Sequence, residues 1–400
     1  MSRPQLEVAD VFRDLDSSFI AALPAAQRRV VRDITACRTA ALGGHLERCD
    51  QCGYSQVAYD SCRNRHCPKC QAAARAEWME ARAEELLPVE YFHVVFTLPE
   101  QLAPLALQNK RVIYNLLFKA TSETLLEIAA DQRHLGARIG FFAVLHSWGQ
   151  TMQFHPHLHC VLPGGGLSAD NSRWIACRPG FFLPVKVLSR LFRGKFIAFL
   201  REARKQDRLI YAGELALLAN EQEFNSWLGE LRGLEWVIYA KPPFGGPEQV
   251  LKYLARYTHR VAISNHRLLE LKDNTVTFRY KDYAADHVTR TMTLGVEEFT
   301  RRFLLHVLPR GLVRIRYYGF LANCCRAEKL KLCRRLLSPE KTELRSVGAT
   351  QPIDAEPAAE ASRTACPSCH RGKMVIVEKI EALRGAGQKR VLSSTAGNTS

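Results

Sequence analysis

Four cysteines, Cys49, Cys52, Cys67 and Cys70, are spaced as CxxC, fourteen intervening residues, CxxC, and no other feature of the 400-residue sequence limits the fold as strongly. Each CxxC can turn two thiolates toward one ion, and four sulfurs close a tetrahedral shell. The spacing therefore predicts a structural zinc site of ribbon type held by these four residues. Gly53 after the first knuckle and the CPKC of the second both suit tight turns. Thirteen cysteines would suggest disulfides in a small secreted domain. In a long chain whose N-terminus MSRPQLEVADVFRDLD lacks an apolar leader, they read as metal ligands or buried thiols. His45, Cys62 and His66 lie close enough along the chain to serve as substitute ligands. Arg63, Arg65 and Lys69 share the loop CRNRHCPKC and are candidates for contacts to a DNA backbone, with a solvated basic face as the alternative.

Charge narrows the partner. Lys and Arg number 56 against 40 Asp and Glu, a formal +16, which favours a polyanion and nucleic acid first. No run approaches the roughly 18 apolar residues of a membrane span. The expectation is a cytoplasmic protein associated with the nucleoid, with no membrane partner. No GxxxxGK[ST] phosphate loop is present, so no nucleotide cofactor is expected.

Hydrophobic periodicity divides the chain into three. Residues 1–90 read as an N-terminal module: two helices between Leu6 and Ala41, broken by Pro24, then the cysteine-rich stretch, then a helix ending at Pro88. Residues 91–320 read as an α+β core. YFHVVFTLP, RIGFFAVLHSWG and HLHCVL are strand-like, helices are expected over 101–130, 184–206 and 247–260, and RLLELKDNTVTFRY reads as a hairpin turning at Asp273 and Asn274. Residues 321–400 hold a helix, a polar Pro-, Ala- and Glu-rich linker, the CxxC of Cys366 and Cys369, and a disordered tail. That half site has Cys324, Cys325 or Cys333 as candidate completing ligands.

Within QFHPHLHCVLPGGG, strand alternation sends His157 and His159 to one face and Leu158, Cys160 and Leu162 to the other. Two imidazoles on one face can share an ion; a hydrogen-bonded or solvent-facing pair is the plainer alternative. His155 has the same parity, but Pro156 makes its direction ambiguous, so it ranks as an alternate ligand. Over residues 247–268 a helical wheel puts Val250, Leu254, Tyr257 and Val261 on one stripe and Gln249, Lys252, Arg256 and Arg260 on a basic neighbour. Tyr253 falls at the seam, where its ring can pack while its hydroxyl faces a phosphate held by the basic stripe. A pair of core aromatics is the alternative.

HPHLH followed by YLARYTHR, with the cysteine module upstream, resembles the HUH-type two-tyrosine rolling-circle transposases of the insertion-sequence-91 family. The similarity extends through FHVVFTLP, LHSWGQ, HPHLHCVLPGGG, YLARYTHRVAISNHRL and RIRYYGFLA, nearly the whole chain. The resemblance implies an HUH endonuclease domain with a central antiparallel sheet flanked by helices. It implies a catalytic divalent ion, Mg²⁺ or Mn²⁺, on His157, His159 and a third polar side chain. It implies Tyr253 and Tyr257 as nucleophiles acting on single-stranded DNA at transposon ends, and rolling-circle transposition through a 5′-phosphotyrosine. Gln150, seven residues before His157, is the expected third ligand, with His155, His146 and Gln249 as rivals. A plasmid replication initiator or relaxase would share this chemistry, and a zinc-dependent DNA-binding regulator would need only the cysteines and the charge.

Overall fold

The computed structural model describes residues 4–241, 261–282, 285, 288–338 and 365–383. The predicted tyrosine helix over 247–260, with Gln249, Lys252, Tyr253, Arg256, Tyr257 and Arg260, lies outside the described residues. So do the linker from 339 to 364 and the tail from 384.

Three short helices, α1 (Val8–Arg13), α2 (Ser17–Ala22) and α3 (Ala25–Ala36), open the described chain where two were expected. The extra break falls at Asp14–Asp16, where buried Leu15 turns inward. The hairpin β1 (Gly44–Cys49) and β2 (Ser55–Tyr59) follows, then α4 (Pro68–Ala83). The core begins with β3 (Tyr91–Thr97), α5 (Ala103–Gln108), α6 (Lys110–Ala130), β4 (Gly140–Trp148) and β5 (Phe154–Pro163). A small hairpin, β6 (Gly165–Leu167) with β7 (Trp174–Ala176), precedes α7 (Val185–Lys205), α8 (Glu221–Gly233) and β8 (Ile238–Lys241). The chain continues as β9 (Leu268–Lys272), β10 (Thr275–Asp282), β11 (Val288–Gly295), α9 (Val296–Leu304), β12 (Ile315–Gly319), α10 (Arg326–Leu337) and β13 (Met374–Ile380). The α+β class expected from the sequence is what the chain adopts.

The central sheet has the order β12-β4-β5-β3-β8, and every neighbouring pair is antiparallel. One face is apolar apart from Arg316 of β12, whose guanidinium lies over the Phe118 ring. Val94 and Phe96 of β3, Leu158, Cys160 and Leu162 of β5, and Phe141, Ala143 and Leu145 of β4 pack there against Leu117, Phe118, Phe192 and Phe196 of α6 and α7. The opposite face is divided. Tyr91, Phe142, Val144 and Val161 are covered by Trp78 of α4 and flanked by Tyr317 of β12, while the rest of that face carries histidines.

A second core lies beside the sheet. Val8, Val11, Phe12, Val30, Val31 and Ile34 of the N-terminal helices pack with Ala262, Ile263, Phe278, Phe299 and Phe303, and the rings of Phe12 and Phe303 meet edge-on at 5.4 Å. The sheet of this region, β11-β10-β9, turns between β9 and β10 at Asp273 and Asn274, both with positive φ, as their two-residue hairpin requires. The N-terminal helices and residues 262–307 thus share one apolar core. Arg65 closes the contact by donating to the carbonyls of Leu308, Pro309 and Leu312.

Candidate metal centres

The cysteines form two sites, not one. Cys37, Cys62, Cys67 and Cys70 converge in one cluster, and Cys49, Cys52, Cys366 and Cys369 in another. The expectation that Cys49, Cys52, Cys67 and Cys70 share an ion is corrected by the hairpin between the two knuckles. β2 is extended, so its five residues carry the chain roughly 16 Å from the tip where Cys49 and Cys52 sit. Cys67 and Cys70 therefore lie at the other end, at the start of α4, beside Cys37 at the end of α3.

Both clusters have the dimensions of a tetrahedral thiolate site. With Zn–S near 2.3 Å, sulfurs around one ion stand about 3.8 Å apart. Here Cys37–Cys70 and Cys62–Cys70 are 3.6 Å apart, Cys49–Cys369 is 3.7 Å and Cys52–Cys366 is 3.6 Å, while all thirteen cysteines are free of disulfides. Ligating thiols must give up their protons, and in the outer cluster backbone N–H groups are turned toward three of the four sulfurs. The N–H groups of Gln51 and Cys52 donate to Cys49 Sγ, that of Ser368 to Cys366 Sγ and that of Gly372 to Cys369 Sγ. The Gly372 and Arg371 amides draw the Cys369 thiol down to about 6. In the inner cluster the Cys62 and Cys67 thiols hold Cys37 down to about 7 and Cys70 falls as well, chiefly through Cys37, while Cys62 and Cys67 are pushed up, again chiefly through Cys37, so without an ion the protons stay on those two. A side chain at Gly372 would collide with Cys49 Sγ, so this glycine is what lets the two knuckles close on each other.

The outer cluster is a ribbon assembled from distant halves. β13 pairs antiparallel with β1, giving the order β13-β1-β2, so the knuckle at 366–369 completes the one at 49–52. Cys324, Cys325 and Cys333, the other candidates for completing that half site, are elsewhere, and Cys333 is packed with Leu87 and Leu330. Of the substitute ligands, Cys62 is in the inner cluster. His45 instead bonds Glu47 and His66 accepts from the Leu308 N–H. Cys37, which had no CxxC partner in the sequence, was not foreseen. Two basic residues expected on DNA are engaged within the protein: Arg65 as described, and Lys69 with Glu7 and the Cys37 carbonyl. Arg63 is exposed.

On the polar half of the central sheet, His146, His157 and His159 bring their ring nitrogens within 4.8 Å of one another. Strand register causes this, because His146 of β4 stands directly across from His157 of β5, and cross-strand partners share a face. His157 Nε2 and His159 Nε2 are 3.1 Å apart. His157 Nδ1 lies 2.7 Å from the carbonyl oxygen of His155; that bond requires the proton on Nδ1 and turns the Nε2 lone pair toward its neighbour. His159 Nδ1 is 2.8 Å from Nε2 of His93, a neighbour not foreseen; when His159 donates from Nδ1 to His93, its Nε2 lone pair also faces His157. Burial pushes His157 down to about 4, so it is neutral at physiological pH. In that tautomer of His159 the two Nε2 lone pairs face each other at a spacing an ion can bridge, since nitrogens bound at about 2.1 Å to one ion sit about 3.0–3.4 Å apart; with the proton on His159 Nε2 the same contact is a hydrogen bond. The donor set fits a divalent metal.

His155 itself is exposed and outside this cluster. Between the pairs His146–His157 and Trp148–Phe154, two residues of β5, His155 and Pro156, oppose one of β4. This bulge interrupts the alternation and accommodates a proline that has no N–H to give. Gln150 lies in the turn between β4 and β5, its carbonyl bonded by Arg267; its neighbours Thr151 and Met152 are held by Arg302 and His306.

Comparison with known proteins now places the chain. Residues 140–329 match the family described as "Putative transposase", and residues 9–98 match the "Transposase zinc-binding domain". The chain is 54% identical over 391 residues to "Putative transposase y4qJ" of Sinorhizobium fredii, covering 96% of this chain and 98% of that one. It is 27% identical over 299 residues to "Transposase for insertion sequence element IS801" of Pseudomonas savastanoi pv. phaseolicola, covering 73% and 70%. The chain belongs to the insertion-sequence-91 family of transposases and carries that family's N-terminal zinc-binding domain. No solved structure matches it. Among the described residues no helix is long and apolar enough to cross a membrane. The outer cluster draws half its ligands from residues 366–369, beyond both matched regions.

Metal analysis of the purified protein should find two zinc ions per chain, because a structural zinc is coupled to the folding of its ligands. Changing Cys366 and Cys369 to Ser should remove one and leave the other. A single zinc in the unaltered protein, untouched by that change, contradicts the two-site arrangement.

Proposed function

We propose that this transposase nicks single-stranded DNA at transposon ends through a tyrosine, and that His146, His157 and His159 hold the divalent ion that the reaction needs. The observation that carries the proposal is the convergence of three imidazoles on one sheet face, with His157 partly exposed and its Nε2 turned toward its neighbours by the bond to the His155 carbonyl. His146 takes the third place for which Gln150 was expected, and Gln150 in the adjoining turn remains a further donor to the same region. Three imidazoles suit Mn²⁺ better than Mg²⁺, whose preference is for oxygen. The bound ion would polarise the scissile phosphate and offset the charge that develops there.

The protein's own groups supply the rest. A tyrosine hydroxyl, near pKa 10 when free, loses its proton as its oxygen bonds to phosphorus. The P–O3′ bond breaks, and the departing 3′ oxygen takes up a proton, leaving a 5′-phosphotyrosine and a free 3′-OH. The phosphodiester energy is kept in the covalent bond, so strand transfer in rolling-circle transposition needs no nucleotide cofactor. On the helical wheel Tyr253 is the initiating nucleophile, with Lys252, Arg256 and Arg260 beside it for the phosphate, and Tyr257 serves the second cleavage. Arg63 remains a candidate for backbone contact from the zinc module.

The test is a covalent adduct that survives SDS on single-stranded DNA carrying the element's end, with Mn²⁺ present. Tyr253→Phe should eliminate the first adduct while keeping the ring and its packing. His157→Ala should lower its rate about 100-fold or more, the scale seen when one transition-state contact is removed, with DNA binding retained. An adduct that forms at full rate in His157→Ala, or one mapped to neither Tyr253 nor Tyr257, refutes the mechanism.

A further inference from the structure

We infer that the outer face of α7, together with the end of α8, is a binding site for the phosphate backbone of duplex DNA, separate from the histidine face. The inference rests on the transposase reading but concerns a different surface. Leu188, Phe192, Phe196 and Leu200 of α7 point into the core. The opposite stripe, Arg190, Gly194, Ala198 and Arg201, points outward and, with Arg193 and with Arg232 of α8, surrounds a hollow of about 300 Å³. Because α7 packs on the apolar side of the central sheet, this hollow lies behind it, away from His146, His157 and His159.

Several features distinguish this cluster from an ordinary solvated face. Among the described residues no carboxylate lies within ion-pair distance of the four guanidiniums. Other cations of α7 are engaged: Lys195 reaches Glu123 and Glu127 of α6, and Arg204 donates to the Leu218 and Ala219 carbonyls; within the hollow Arg193 donates to the Leu234 carbonyl, which leaves Arg190, Arg201 and Arg232 to carry the site. Four like charges around one hollow repel, and an anion relieves that repulsion. The floor of the hollow contains Gly194, which lowers helix propensity, yet a Cβ there would meet nothing within 4 Å. The protein's own packing gives no reason for a glycine at this position. Close approach of a phosphate to the helix backbone gives one.

The shape favours duplex over single strand. Arg190 and Arg201 are eleven residues apart on one face, about 16 Å of helix, the length of four to five base pairs at about 3.4 Å each. No aromatic ring lines the hollow, and single-strand sites depend on aromatic platforms for the bases. Guanidinium groups contact phosphates in pairs of hydrogen bonds and need no particular sequence. The surface would hold double-stranded DNA flanking the cleaved end, or the target, while the histidine face works on a single strand.

The experiment compares Arg190→Ala/Arg201→Ala/Arg232→Ala with the unaltered full-length protein, using fluorescence anisotropy on a labelled random-sequence duplex and on a single strand of equal length, each across a salt series. Loss of three phosphate contacts should weaken duplex binding about tenfold or more and flatten the log–log salt slope by about 3 units. Single-strand affinity should stay within about twofold. Gly194→Glu, a single change that places a carboxylate in the floor without removing a packed side chain, should weaken duplex binding alone, and Gly194→Ala should melt no lower than the unaltered chain. Unchanged duplex affinity and slope in both the triple variant and Gly194→Glu overturns the inference, as does an equal loss for duplex and single strand. The readout is binding, so absence of any tyrosine adduct would count against the nicking mechanism and leave this result standing.

Discussion

The alternation of side chains along β5 is the constraint on which the site depends. Leu158, Cys160 and Leu162 are fully buried in the main core, and that sets which way the strand faces. His157 and His159 must then occupy the opposite side, because a slip of one residue would bring imidazoles into the core and leucines out of it. Neighbouring strands inherit the same logic. With β4 and β3 in register beside β5, His146 arrives across from His157, and His93 comes within hydrogen-bonding distance of His159. The imidazoles are therefore positioned by a rigid sheet whose other face is among the best-packed parts of the chain.

The zinc clusters do comparable work for the flanking parts. The inner one fastens the end of α3 to the start of α4 inside a core shared with residues 262–307, so the family's zinc-binding domain is built into the molecule. The outer one ties a strand from near the C-terminus to the first hairpin. Arg65 and Lys69 belong to this framework. Their guanidinium and ammonium groups satisfy carbonyls and a carboxylate at the junction, and positive charge for a nucleic-acid partner has to come from elsewhere on a chain of net +16.

Local patterns were readable in the sequence and long-range pairings were not. The facing of His157 and His159, the α+β order of elements, the Asp273–Asn274 turn and the family itself follow from short-range alternation, turn chemistry and motif. What the sequence could not disclose is which distant segments meet. Cys49 and Cys52 were correctly seen as a knuckle, but their partners come from more than 300 residues away and are selected by the pairing of β13 with β1. Cys37 carries no local signature because it sits alone at a helix end. His146 was one of several rivals for the third ligand place and His93 looked like an ordinary strand residue; only the order β4-β5-β3 makes both neighbours of the histidine pair. His155 illustrates the converse, since simple parity placed it with His157 and a bulge at Pro156 removed it.

The central claim, that three imidazoles share one ion, can be examined without DNA or turnover. Mn²⁺ is paramagnetic, and pulsed electron paramagnetic resonance registers the nitrogens bound to it. Protein loaded with one equivalent of Mn²⁺ should show coupling to three histidine nitrogens, falling to two in His146→Ala. A spectrum of manganese coordinated by oxygen alone, the same in the unaltered protein and in a variant lacking His146, His157 and His159, would contradict the account.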